Sequence, residues 1–381
     1  MLRKIRARFI GLDLPQPKDR PHHEVENHLT EALRRRRDAP DRLAEMFDAG
    51  LGPGDIQPDE FEALLSEREL SEEDSARIQR HTLAYLNRRK RRLQPLAHIK
   101  PDERDTVLHA AHNGQAFGVI ARDPMEERIA ALHAAFPWFA AASTAVMTHM
   151  RQRTSSAAAA FHTPPLLLLG PPGIGKSSWA RALAAAFEVP SVEIDVGATN
   201  GATFALAGAE RGWGSSHSGR VVQTMLQQSC ANPMVIIDEI DKIPEQVHAS
   251  RGGALPGALE VLKSMIEPTT ARHWPCPSLQ IPFDLTGVSW VMTTNSISAL
   301  PEAFLDRCKV VTIPAPTQEQ LIEVACRMVA GRFRPEDQSL CNAILTDLIR
   351  TRSRLSRRTS LRSLERLCNS LQERIEAPRL Q

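Results

Sequence analysis

A chain of 381 residues with 42% hydrophobic and 24% charged side chains has enough apolar material for two or three domains with buried cores. Its 47 basic and 45 acidic residues leave a net charge of +2, which makes no whole-chain case for nucleic acid, and six cysteines without a C-x-x-C pair indicate neither a zinc site nor a disulfide framework. Apolar stretches such as Ala157 to Phe161 and Leu166 to Leu169 fall far short of the ~20 residues of a membrane span, and the start has no apolar signal core, so a cytoplasmic chain with free buried thiols is expected.

Residues 1 to 120 are expected to be a helical N-terminal region of unassigned role. Prolines at 15, 17 and 21 punctuate its start, and helical patterns follow at His28 to Arg37, Arg42 to Ala49 and Ser71 to Arg92. Two basic runs, Arg34 to Arg37 and Arg88 to Arg92, carry the charge to meet phosphates or an acidic partner. The commoner role of such runs is a solvated helix face, and few aromatics lie nearby for base stacking.

Residues 123 to 150 read as one or two helices around Pro137, and Thr154 to Pro165 as a small-residue connection. Short apolar runs then alternate with helical patterns: Leu166 to Leu169, Val192 to Val196, Met234 to Ile237, Val288 to Met292 and Val310 to Ile313. This predicts an α/β core over residues 121 to 316, a five-stranded parallel sheet with helices on both faces. Beyond Pro316 the pattern is helical. Thr317 and Gln320 have capping-box spacing, Leu321, Ile322, Val324, Ala325, Met328 and Val329 recur at helical period, and a last helix carries Leu361, Leu364, Leu367, Leu371 and Ile375. Residues 317 to 376 are expected to form a small all-α lid, with 377 to 381 a tail.

Between the first run and the helical Trp179 to Phe187 stands Gly170-Pro171-Pro172-Gly173-Ile174-Gly175-Lys176-Ser177, which satisfies G-x-x-x-x-G-K-[ST] and is followed by Ser178. Such a loop turns successive backbone N–H groups onto phosphate oxygens and adds the positive end of the next helix. Lys176 is expected to reach the β- and γ-phosphates of ATP, and Ser177 to ligate Mg²⁺. Met234-Val235-Ile236-Ile237-Asp238-Glu239 ends a buried strand in two carboxylates, the Walker B pattern. Asp238 is expected to hold Mg²⁺ and Glu239 to polarise the attacking water.

With these motifs on the page the sequence resembles AAA+ ATPases, and among them the ATPase module of Lon proteases. The resemblance runs through Arg211 to Arg220, Asn232-Pro233, Asp238 to Lys242, Gly257 to Leu262, Thr293-Thr294-Asn295-Ser296, Leu305-Asp306-Arg307 and Leu361 to Arg366, from about residue 164 to 375. It implies that Asn295 is sensor 1, orienting the lytic water, and that Arg307 is an arginine finger presented to a neighbouring subunit. It implies also that Arg362 is sensor 2 in the lid, with Arg358 and Arg366 one turn to either side. A finger acting in trans implies a homo-oligomeric ring, a hexamer in this family. Trp213 falls where the family points an aromatic into the pore to grip polypeptide; Gly214 departs from the bulky aliphatic of Lon, and Arg272, His273 and Trp274 fall near a second pore loop. No room for the Lon peptidase is expected after the lid. The function implied is ATP-driven remodelling of a protein, alone or beside a separately encoded partner. Alternatives are a nucleic-acid-associated motor or loader and a nucleotide-gated switch or scaffold.

Overall fold

The computed structural model describes residues 2–15, 21–37, 70–155, 157–196, 202–211, 216–243, 247–248, 254–255, 257–354 and 359–376. Trp213, Arg358 and the helix expected at Arg42 to Ala49 lie outside them. The chain divides into two units, one of residues 13–108 and one of residues 1–12 with 109–381.

Strand β1 (Arg3–Arg6) opens the chain and belongs to the larger unit. The smaller unit holds helices α1 (His22–Arg37) and α2 (Glu72–Leu93), and α3 (Pro101–Asn113) carries the chain out of it. Helix α2 starts on a capping box: Asp74 N–H donates to Ser71 Oγ at 3.2 Å, and Ser71 N–H to Asp74 Oδ2 at 3.1 Å. Its buried Asp74, Ile78 and Thr82 follow at four-residue intervals and so share one face. The run Arg88 to Arg92 is not a uniform basic surface. Arg89 is buried, and Arg92 Nε and Nη2 donate to the Asp13 and Leu14 carbonyls, both at 3.2 Å. Arg88, Lys90 and Arg91 are exposed.

In the larger unit β1 pairs antiparallel with β2 (Gln115–Val119), Ile5 opposite Ala116 and Arg6 opposite Gln115. The expectation of a uniformly helical region up to residue 120 is thereby amended. Two strands lie within it, and the opening residues fold with the following domain because β2 offers them a hydrogen-bonding edge.

Helices α4 (Arg122–Ala135) and α5 (Ala140–Arg153) precede the main sheet, whose strands are β3 (Leu166–Leu169), β4 (Ser191–Asp195), β5 (Met234–Asp238), β6 (Ser289–Thr294) and β7 (Lys309–Thr312). All pairings are parallel, in the order β7-β3-β6-β5-β4. Side chains alternate between faces, and both faces are covered. Leu166, Leu168, Met234, Ile236 and Val291 join a core with Val146, Trp179 and Leu183, while Leu167, Val235, Ile237 and Met292 are fully buried on the other side. The parallel register places Leu169 beside Thr294 and Thr312, and Asp195 beside Asp238. Chain segments leaving the strands therefore gather along one sheet edge, where α/β folds bind ligands.

The lid consists of α6 (Gln318–Arg332), α7 (Pro335–Arg354) and α8 (Leu361–Glu376). The capping box read at its start is formed: Thr317 N–H donates to Gln320 Oε1 at 2.9 Å, and Gln320 N–H to Thr317 Oγ1 at 3.3 Å. Leu321, Ala325 and Val329 of α6 pack with Cys341, Leu345 and Ile349 of α7 and with Leu364 and Cys368 of α8. Ile375, expected on that apolar face, is 39% exposed. Of the cysteines expected to be buried, Cys308 and Cys326 are only partly so. No described helix is long and apolar enough to cross a membrane.

Candidate functional site

The loop after β3 needs its glycines. Gly173 and Gly175 have φ of +75° and +95°, the left-handed region that disfavours a Cβ. A Cβ on Gly173 would stand 2.7 Å from Ser360 Cβ, and one on Gly175 would stand 2.6 Å from Leu361 Cδ1. The lid thus lies directly against the loop, and Leu361 N–H donates to the Gly173 carbonyl at 2.9 Å. On the sheet side the Trp138 indole N–H donates to the Ile174 carbonyl at 3.0 Å, and Phe139 stacks on Trp179 at 5.5 Å behind it.

A helix of residues Lys176–Ala186 begins where the loop ends. Lys176 Nζ donates to the carbonyls of Gly170 and Pro171 and to Asn295 Oδ1, at 2.6, 3.0 and 2.9 Å. Burial pushes its pKa down, and the charges of Asp241, Asp238 and Glu239 oppose that shift. Ser177 Oγ donates to Asp238 Oδ1 at 2.6 Å, which brings a hydroxyl and a carboxylate oxygen together at the ends of adjacent elements. Hard oxygen donors of this kind suit Mg²⁺, a cation that keeps much of its shell for water and phosphate. No cluster of three or more His, Cys, Asp or Glu side chains placed to hold a metal occurs among the described residues.

Thr293, the penultimate residue of β6, links Asp238 and Glu239. Its hydroxyl donates to Asp238 Oδ1 at 3.0 Å and accepts from Glu239 N–H at 3.1 Å. Glu239 has φ +56° and ψ +48°, a conformation that costs a side-chain-bearing residue about 1 kcal/mol and is held by its neighbours. Its carboxylate pairs with Lys242, whose pKa that bond raises.

These groups border one cavity of about 840 Å³ between the sheet edge and the lid. Of the sequence-derived set, Pro172, Gly173, Gly175, Lys176, Ser177, Ser178, Asp238, Glu239, Asn295 and Arg362 line it. Gly170, Pro171 and Ile174 do not: Gly170 and Pro171 offer carbonyls to Lys176, and Ile174 is buried. Arg362 lines the cavity and Arg366 does not. Arg307 stands away from it, its Nε donating to Glu267 Oε2 at 2.8 Å. Trp274, read near a second pore loop, is instead 4% exposed with its indole N–H on Ser264 Oγ at 3.2 Å.

Sequence reasoning missed part of the cavity lining, to which Phe136 and Trp138 contribute together with Val324 and Met328 of α6. An aromatic and aliphatic lining of that composition suits a purine ring. The aromatic pair beside Pro137 was visible as a pattern, but nothing local said that it would meet the lid. Thr293 carries no signal of its own in the sequence, because a threonine in a buried strand looks like packing.

Residues 166–314 match the profile of the ATPase family associated with various cellular activities (AAA). Lon protease of Desulforamulus reducens is 30% identical over 212 residues, 55% of this chain and 25% of its own length. Lon protease of Neorickettsia sennetsu is 31% identical over 234 residues, 60% of this chain and 26% of its own. The chain therefore spans about a quarter of the length of these relatives. Similarity to a chain of the S. cerevisiae Hsp104:casein complex in its extended conformation is slight, with a TM-score of 0.43 at 18% identity over 56% of this chain and 40% of that one.

Proposed function

From this Lon-like AAA+ module, we propose that the chain binds Mg·ATP in the cleft between sheet edge and lid, hydrolyses it, and spends the energy on remodelling a protein. The observation that carries the nucleotide reading is the convergence of Lys176, Ser177, Asp238, Glu239, Asn295 and Arg362 on one cavity, from positions spread over 186 residues of sequence.

Loop amides and Lys176 bind the β- and γ-phosphates, and Lys176 exchanges its carbonyl and amide partners for phosphate oxygens. Phe136, Trp138, Val324 and Met328 take the base. Ser177 and Asp238 are the residues that hold Mg²⁺, which when bound neutralises phosphate charge. Glu239 accepts a proton from the attacking water, and Asn295 orients that water. Arg362 reads the γ-phosphate from the lid.

Arg307 does not line the cavity of its own chain, which supports the reading that it serves a neighbouring copy in a ring, a hexamer by resemblance. Trp213, assigned from resemblance alone, is the residue proposed to grip polypeptide in the pore. The test is calorimetry with Mg·ATP followed by steady-state phosphate release with and without an unfolded protein. Saturable binding and hydrolysis stimulated by unfolded protein, with stimulation lost in Trp213→Ala, support the reading. Absence of binding sinks the nucleotide assignment. Stimulation by DNA but not by protein replaces the remodelling assignment with a nucleic-acid one.

A further inference from the structure

Arg307 is held at two points by its own chain. Its Nε donates to Glu267 Oε2, and its Nη1 donates to the Ala303 carbonyl. A guanidinium carries five N–H donors in one plane, so bonds from two of its nitrogens fix the plane while three donors remain. Both N–H groups of Nη2 lack a partner among the described residues.

The anchors are themselves immobilised. Glu267 ends the helix Ala258–Ile266 and begins the turn Pro268–Ala271. Its N–H donates to the Lys263 carbonyl at 3.0 Å, and its own carbonyl accepts from Thr270 and Ala271 N–H at 3.1 and 2.8 Å. Ala303 sits in the short helix Glu302–Leu305. The Arg307 and Glu267 side chains are 35% and 33% exposed, so the pair adds little stability; what it supplies is orientation.

We propose that Glu267 is a positioning residue for Arg307. It holds the guanidinium by its Nε side so that the Nη2 edge is presented to the γ-phosphate of a nucleotide bound by the adjoining copy. This rests on the reading of Arg307 as a finger acting in trans.

Mixed assemblies test it. Glu239→Gln subunits keep Arg307 but cannot turn over their own nucleotide, and Arg307→Ala subunits keep a working cleft but offer no finger. Mixing the two should restore hydrolysis at the interfaces where a Glu239→Gln subunit serves an Arg307→Ala one. Adding Glu267→Ala to the Glu239→Gln subunit should then lower the restored kcat about 10- to 100-fold, with KM for ATP and assembled mass unchanged. Glu267→Gln, which keeps an acceptor oxygen, should recover part of the loss. An unchanged or higher restored rate with Glu267→Ala overturns the proposal. If neither Glu267 variant assembles, the residue is structural and the proposal also falls. If the first mixture restores nothing although each variant assembles, the trans reading of Arg307 fails, and with it the inference.

Discussion

Lys176 Nζ lies 2.9 Å from Asn295 Oδ1, and so joins the phosphate loop to the end of strand β6 across 119 residues of sequence. The ammonium also holds two loop carbonyls, and all three acceptors are neutral. Phosphate oxygens are stronger partners for a half-desolvated cation. Lys176→Ala should weaken ATP binding about 100-fold or more, equivalent to about 3 kcal/mol. Asn295→Ala should bind within a few-fold of the parent yet turn over about 10- to 100-fold more slowly. Fluorescence titration beside phosphate release separates the two.

Glu239 is engaged by Lys242 through a bond that raises the lysine pKa. Glu239→Gln should retain nucleotide and lose about 10²- to 10⁴-fold in turnover, the range expected for removal of a general base. The same substitution removes the carboxylate charge beside Lys242, whose pKa should fall toward the ordinary lysine value. Titration of ¹³Cε-labelled lysine reads that change directly, and normal turnover in the variant would show that the base lies elsewhere.

Asn232 is a structural counterpart to these groups. Its Oδ1 accepts from Phe117 N–H at 2.7 Å, and its Nδ2 donates to the carbonyls of Phe117 and Phe161 at 3.0 and 2.8 Å, all in a buried setting. Asn232→Ala strands a buried backbone donor and should cost about 2 to 3 kcal/mol in urea unfolding. Nucleotide affinity of the folded fraction should stay within about twofold, because no bond of Asn232 reaches the cleft.

His162 faces His149, with Nδ1 and Nε2 3.0 Å apart. Burial, then the charge of Arg153, depresses the His162 pKa to about 3, and burial lowers that of His149 as well. A histidine with lower proton affinity in the folded state makes unfolding take up a proton, so stability is full above the unfolded pKa near 6.5 and declines as pH falls toward 3. Within that window His162 should contribute a slope of about 1.4 kcal/mol per pH unit. Denaturant midpoints measured from pH 7 to pH 5 should fall more steeply for the parent than for His162→Gln. Parallel lines would remove His162 as the cause.

The candidate site was legible because its residues are short, ordered motifs bound to strand ends: Gly170 to Ser177, Asp238-Glu239 and Asn295 occupy the edge that five alternating apolar runs predict. The five strands themselves were readable from apolar runs bounded by turns. What sequence could not supply were encounters between distant elements. Phe136 and Trp138 acquire meaning only when α6 joins them in lining the cavity, and Thr293 only when β6 lies beside β5. Strand β1 was missed because Arg3 to Arg6 is almost wholly exposed and shows no apolar alternation. Trp274 differs in the opposite sense: the resemblance sets it near a second pore loop, yet its indole is buried and donates to Ser264 Oγ.

The bond from Leu361 N–H to the Gly173 carbonyl gives the last helix no tether of its own choosing. An outward swing of that helix should tug on the loop proposed to grip triphosphate, and a tightening there should draw the helix in. If the cleft takes nucleotide as proposed, its occupancy and the posture of the helix should change together, and a spectroscopic label on α8 should report on what the cleft contains.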